Sequence, residues 1–283
     1  MGLTTLPPLP STLTELNCFG NQLASLPVLP STLTTLICSS NRLTSLPELP
    51  STLTALCCSF NRLGSLPVLP SGLTELKCSF NRLGSLSVLP SGLTALDCCG
   101  NELTSLPVLP STLTTLDCSY NGEITSLPAL PSTLKTLKCS DNQLGSLPTL
   151  PSTLTKLNCC GNQLTTLPVL PCSLITLKCY DNGLGSLPVL PSRIIKLKCH
   201  DNPYVPAFAD LITSETSETI QRIRMYYASL KRQARSVLSL QQTLVRGYNC
   251  VLNDDCLNIV GSYLSGQRGT LATQIAKLRT VLA

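Results

Sequence analysis

A phrase of 20 residues returns ten times along this chain, and nothing else in it constrains the fold so strongly. Units begin at Leu13, Leu33, Leu53, Leu73, Leu93, Leu113, Leu134, Leu154, Leu174 and Ile194. Eight of the nine steps are 20 residues and one is 21, the extra residue falling within Asn121-Gly122-Glu123-Ile124. The consensus is L-T-x-L-x-C-x-x-N-x-L-x-S-L-P-x-L-P-S-x, and Leu3 to Thr12 is the back half of one more unit. A period of this length predicts a solenoid, in which each unit buries its apolar side only against its neighbours.

The letters assign the layers. In the first unit Leu13, Leu16 and Cys18 face inward from a short extended segment, while Glu15 and Asn17 face outward, because side chains alternate along a strand. Ten such segments side by side make a parallel sheet. The Asn column, from Asn21 to Asn202, sits where the chain turns inward. An amide both donates and accepts there, so it can satisfy backbone groups cut off from water. The return segment, as in Leu26-Pro27-Val28-Leu29-Pro30, cannot be helical. Its prolines hold it extended or in polyproline II geometry. Sheet side and return side then have similar widths, and gentle curvature is expected.

L-x-x-L-x-[apolar]-x-x-N-x-L is the leucine-rich repeat pattern. The string L-P-x-L-P-S-x-L-T-x-L narrows it further. It resembles the LPX subclass of bacterial leucine-rich repeats, known from secreted effectors of the YopM and IpaH types, over Leu3 to about Pro206. The Cys-bearing units are also similar to repeats of large DNA viruses of amoebae. The resemblance implies a leucine-rich repeat solenoid with a parallel β-sheet on its concave face and an extended or polyproline II convex side. It also implies a protein-binding role, as a host-directed effector or viral protein. IpaH-type effectors add a ubiquitin-ligase domain with a catalytic Cys. Residues 207–283 are too few for that domain, and neither Cys250 nor Cys256 stands in its C-x-D arrangement, so ligase activity is not carried over.

Of 16 Cys, ten occupy one repeat position: Cys18, Cys38, Cys58, Cys78, Cys98, Cys118, Cys139, Cys159, Cys179 and Cys199. A straight line of thiols cannot surround one ion, and side chains on neighbouring rungs run parallel rather than converging. They are expected to be small buried hydrophobes. Cys57, Cys99 and Cys160 are expected at outward strand positions, open to oxidation. The N-terminus lacks the basic and apolar regions of a signal peptide. No stretch approaches the roughly 20 apolar residues of a membrane span. A cytoplasmic setting with reduced thiols, and no membrane partner, is therefore expected.

Individuality lies in the outward columns. Units one to six carry Glu15, Glu75, Asp97 and Asp117 against Lys77. Units seven to ten carry Lys135, Lys138, Lys156, Lys178, Lys196 and Lys198, with Tyr180 and His200 nearby. Phe60, Phe80 and Tyr120 share one position just past the strand, and Phe19 stands one residue earlier in its own unit. These Lys and aromatic residues are the candidate partner-binding set. With one His and no G-x-G-x-x-G, G-K-[ST] or H-E-x-x-H, the sequence carries no visible catalytic, cofactor or metal apparatus.

After Pro206 the composition shifts. Ile220, Ile223, Tyr227, Leu230, Ala234, Val237, Gln241 and Leu244 recur at 3–4 spacing and predict a helix ending near Gly247. Two more helices are expected, from Asn253 to about Leu264 and from about Thr270 to Leu282. Net charge is +5 overall, with 9 basic and 5 acidic residues in this region and 11 and 10 in the repeats. The small all-α region over 207–283 reads as a helical cap or a partner-binding element, with a homodimer through the helix around 220–244 as one form. Leu252 to Leu264 faintly resembles the opening of an F-box. The leading expectation is a non-enzymatic module binding a protein on its concave face. A ubiquitin-ligase adaptor is the alternative, as is phosphate or nucleic-acid binding through the Lys stripe.

Overall fold

The computed structural model describes residues 2–204, 209 and 217–242. Each unit contributes one three-residue strand: β1 (Glu15–Asn17), β2 (Thr35–Ile37), β3 (Ala55–Cys57), β4 (Glu75–Lys77), β5 (Ala95–Asp97), β6 (Thr115–Asp117), β7 (Thr136–Lys138), β8 (Lys156–Asn158), β9 (Thr176–Lys178) and β10 (Lys196–Lys198). They form a single parallel sheet in sequence order. Register is fixed at one whole unit, so Leu16, Leu36 and Leu56 lie side by side. Backbone bonds tie each rung to the next on both sides of the strand, as in Cys38 N–H to Cys57 O at 2.8 Å and Thr54 N–H to Thr34 O at 2.8 Å. The remainder of each unit has no helix, as the paired prolines require.

Inside, each unit buries the same set. Leu33, Leu36, Cys38 and Leu43 are fully buried, and their equivalents repeat along the array. On the return side the Leu positions turn in while the residue between them points out. Val28, Val68, Val88 and Val108 are among the most exposed apolar side chains. At the start of the array Leu6, Leu9, Leu13 and Leu16 are only half-buried, because they have a neighbour on one side.

The Asn column does what its chemistry allows. Asn101 Nδ2 donates to the carbonyls of Cys78, Cys98 and Cys99 at 3.0–3.3 Å, and its Oδ1 accepts Leu83 N–H at 3.0 Å. One side chain thus links two rungs and fills both its roles. The 21-residue step disturbs this once: Asn142 Oδ1 is buried and has no partner among the described residues.

Helix α1 (Ser217–Gln242) follows the repeats. Its start precedes the sequence expectation by three residues, and its described end lies before Gly247. Ile220 and Ile223 are buried within the same core as the Leu columns, so the beginning of the apolar stripe is spent on the array rather than on a second helix. Two side chains supply what an eleventh unit would have supplied. Along the array, a Thr hydroxyl donates to two carbonyls of the previous unit, as Thr32 does to Ser11 O and Leu13 O. At the last unit the Arg224 guanidinium donates to the equivalent Ser192 O and Ile194 O, and to Pro191 O at 2.7 Å. Likewise Cys18 O accepts from both Asn21 and Asn41. Cys199 O accepts from Asn202 and, in place of the missing next Asn, from the Tyr204 hydroxyl at 2.6 Å. The helices expected beyond Asn253, the F-box-like stretch, Cys250 and Cys256 lie outside the described residues.

Candidate functional site

The outward face of the sheet is two columns wide, and strand register brings its charges together. Lys138, Asn158, Lys178 and Lys198 follow one another in one column. In the other, Lys156, Thr176 and Lys196 do the same. Lys178 and Lys198 are direct neighbours on adjacent strands. Lys156 and Lys196 are exposed, and Lys178 and Lys198 are half-buried. Lys135 is exposed but precedes β7, so it sits at the margin of the face. Lys138 is committed elsewhere: its Nζ lies 3.0 Å from Asp117 Oδ2, and that carboxylate raises its pKa. Among the described residues no ion pair engages Lys156, Lys178 or Lys196.

Tyr180 and His200 border this basic end. Their rings stack at 4.6 Å and 9°, and His200 Nδ1 lies 2.7 Å from Asp201 Oδ2. Phe60, Phe80 and Tyr120 are not on the sheet face. They stand one residue before the Asn column, where every occupant has a left-handed backbone; φ is 55° at Phe60 and 52° at Phe80. Gly and Asp fill most of the column, as that geometry favours. The Phe60 and Phe80 rings stack at 4.5 Å, and Phe80 lies over Gly100, where a Cβ would meet the ring at 2.7 Å. Tyr120 is exposed and separated from the pair by Gly100. The candidate residues therefore form two groups, a basic patch on units seven to ten and an aromatic rim on units three and four.

Cys99 and Cys160 correct an expectation. They are 8% and 1% exposed, not open to solvent. Each strand is only three residues long, and the chain bends after the Cys column. The next position therefore points into the turn, beside the equally buried Ser39, Ser59, Ser79, Ser119 and Ser140. Cys57 does lie on the face and is half-buried. The ten-Cys column is buried throughout and forms no disulfide. Burial pushes these thiols up, to about 12 at Cys78. Among the described cysteines, native-state alkylation near neutral pH is accordingly expected to label the exposed Cys172 first, then Cys57. The ten column cysteines should be modified only at the rate of unfolding, as read by mass spectrometry.

Sequence reading missed one grouping. Asp97 and Asp117 are direct partners on β5 and β6, and the Cys99 thiol joins them, with the three ligand atoms within 4.8 Å of one another. The signal was present: Asp97-Cys98-Cys99 followed by Asp117 at one full period. It shows only when the sequence is read by columns.

Stacked parallel rungs with an internal Asn column and an outward-facing sheet define a leucine-rich repeat protein. The chain belongs to that family, with repeats of the bacterial effector type. It is similar to YopM from Yersinia enterocolitica WA-314, at 37% identity and a TM-score of 0.67, over 72% of this chain and 50% of that one. The leucine-rich effector YopM from Yersinia pestis matches at 32% identity and a TM-score of 0.58, over 71% of this chain and 70% of that one. The functional domain of InlJ from Listeria monocytogenes, which includes a cysteine ladder, matches at 33% identity and a TM-score of 0.65. That match covers 75% of this chain and 48% of that domain. The chain thus spans about half the length of the first YopM chain and of the InlJ domain. No family model and no curated protein matches the sequence. The described residues hold no helix long and apolar enough to cross a membrane.

Proposed function

We propose that this chain is a non-enzymatic interaction module that holds an acidic protein surface against the basic end of its sheet face. The carrying observation is the run of Lys156, Lys178 and Lys196 on adjacent strands, which no ion pair engages among the described residues, with Lys198 beside Lys178. A rigid sheet holds these cations together on its outward face, where they present a positive potential to an anionic partner. Tyr180 and His200 extend the patch with a flat, partly apolar border suited to the centre of an interface. The column of free thiols supports a reducing, cytoplasmic setting, and the effector-type relatives support a role inside a host cell. Arg224, in the place of an eleventh unit's donor, and the buried Ile220 and Ile223 support the reading of α1 as a cap rather than a dimerisation helix.

The test is charge reversal on this face. A partner captured at low salt should be lost, by at least about tenfold in affinity, when Lys156, Lys178 and Lys196 are changed to Glu, with the melting temperature unchanged. Binding to the parent should weaken as salt rises, since exposed charges more than about 8–10 Å apart are largely screened at physiological ionic strength. Undiminished capture by the triple variant would exclude this face. If single-stranded RNA competes for the same site with a steep salt slope, the phosphate-binding reading replaces the acidic-protein one.

A further inference from the structure

We propose that Asp97, Cys99 and Asp117 form a site for a zinc-class divalent cation on the sheet face between units five and six. The three ligand atoms lie within 4.8 Å of one another. In a tetrahedral site with ordinary zinc bonds, ligand atoms stand about 3.5 Å apart. Closing that gap takes about an ångström of movement, within reach of two short carboxylate side chains. The mixture of one sulfur and two oxygens selects the ion. Magnesium and calcium take oxygen ligands, whereas zinc and its neighbours accept thiolate and carboxylate together.

Three observations make this more than an acidic pair. The first is the Cys99 side chain itself, which is more than nine-tenths buried, is directed at both carboxylates and makes no hydrogen bond through its sulfur among the described residues. The second is uncompensated charge. Asp97 and Asp117 are lateral neighbours, and the one cation beside them, Lys138, ion-pairs with Asp117 and reaches Asp97 only at longer range. Asp97 has no ion-pair partner among the described residues; it accepts Ser79 Oγ–H and Cys99 N–H. The two carboxylates thus share one close cation, and a dication between them would offset their mutual repulsion. The third is the scaffold's indifference. The Cys99 column is otherwise mostly Ser, and the Asp97–Asp117 column holds Asn at Asn17 and Asn158. Nothing in the fold calls for a thiol or a carboxylate at these places.

Each carboxylate oxygen already accepts one hydrogen bond and retains a free lone pair. On binding, the Cys99 thiol releases its proton to solvent and the sulfur bonds the metal as thiolate. Water or a side chain of a bound partner completes the shell from the open face.

Cobalt(II) tests this, added alone to the full chain in a thiol-free reductant. One equivalent is expected to bind with a near-ultraviolet thiolate-to-cobalt charge-transfer band, and zinc is expected to abolish that band by displacement. Cys99→Ser should remove the band while Cys57→Ser keeps it. Asp97→Asn and Asp117→Asn should each weaken binding by at least about tenfold, the lower end of what outer partners of metal sites cost. Ser and Asn already occupy the same columns elsewhere, so these variants are expected to fold, with circular dichroism as the check. Absence of the band, or its survival in Cys99→Ser, overturns the site.

Discussion

Asn101→Leu is expected to destabilise the array by about 2–4 kcal/mol, measured as a lowered urea midpoint. The substitution removes the side-chain oxygen that accepts Leu83 N–H, deep in the wall of the solenoid, and an orphaned buried donor costs about 1–3 kcal/mol. It also strips one donor from each of three carbonyls. All three keep another bond, Cys78 O and Cys98 O from Asn81 and Asn121 and Cys99 O from Phe80 N–H at 2.7 Å, and so lose less than the Leu83 donor. Because units couple only to neighbours, a weak rung in the middle should divide the molecule. Unfolding should broaden or split into two steps rather than simply shift. The same change at Asn21 should cost less than about 1 kcal/mol. Asn21 is half-exposed, has no complete unit before it, and its partners Leu3 N–H and Cys18 O are within reach of water. Equal losses at Asn21 and Asn101 would contradict the column as the element that joins rungs.

The second large effect is expected at the other end. Ile223 is fully buried against the last units. Ile223→Asp places a carboxylate there with no partner, a change that costs several kcal/mol unless the helix lets go. Release of α1 would expose the edge of β10 and the carbonyls that Arg224 holds. Amide hydrogen exchange should then accelerate across Lys196 to Asn202 while unit five keeps its protection. Arg224→Ala should give a milder form of the same local pattern. Loss of protection spread evenly over all units would count against a cap.

Period, strand positions and buried columns were all legible in the sequence, because a repeat averages away the ambiguity of any one segment. Leu36 is read as buried not from its own neighbours but from nine equivalents. The misplacement of Cys99 and Cys160 shows where that reading fails. Alternation holds only while the backbone stays extended, and here it stops after three residues. The left-handed column was marked by its Gly and Asp residues, yet Phe60 and Phe80 concealed it, since aromatic side chains seldom adopt that backbone. The charged face was legible as composition. So were its lateral pairs, Lys178 beside Lys198 and Asp97 beside Asp117, once the units are aligned in columns; what alignment did not show is that the Cys99 thiol lies beside the two carboxylates. A scan for short metal-ligand spacings passes over such a site.

The way the last unit is closed bears on how chains of this kind change length. Arg224 grips main-chain oxygens of Pro191, Ser192 and Ile194, groups that any unit would offer in the same place. Nothing in that grip reads the identity of the tenth unit. A gene could therefore gain or lose whole 20-residue modules by unequal recombination and hand the same terminus a fit each time. Inheritance of the boundary would then be uncoupled from inheritance of the interior, leaving the variable columns free to diverge.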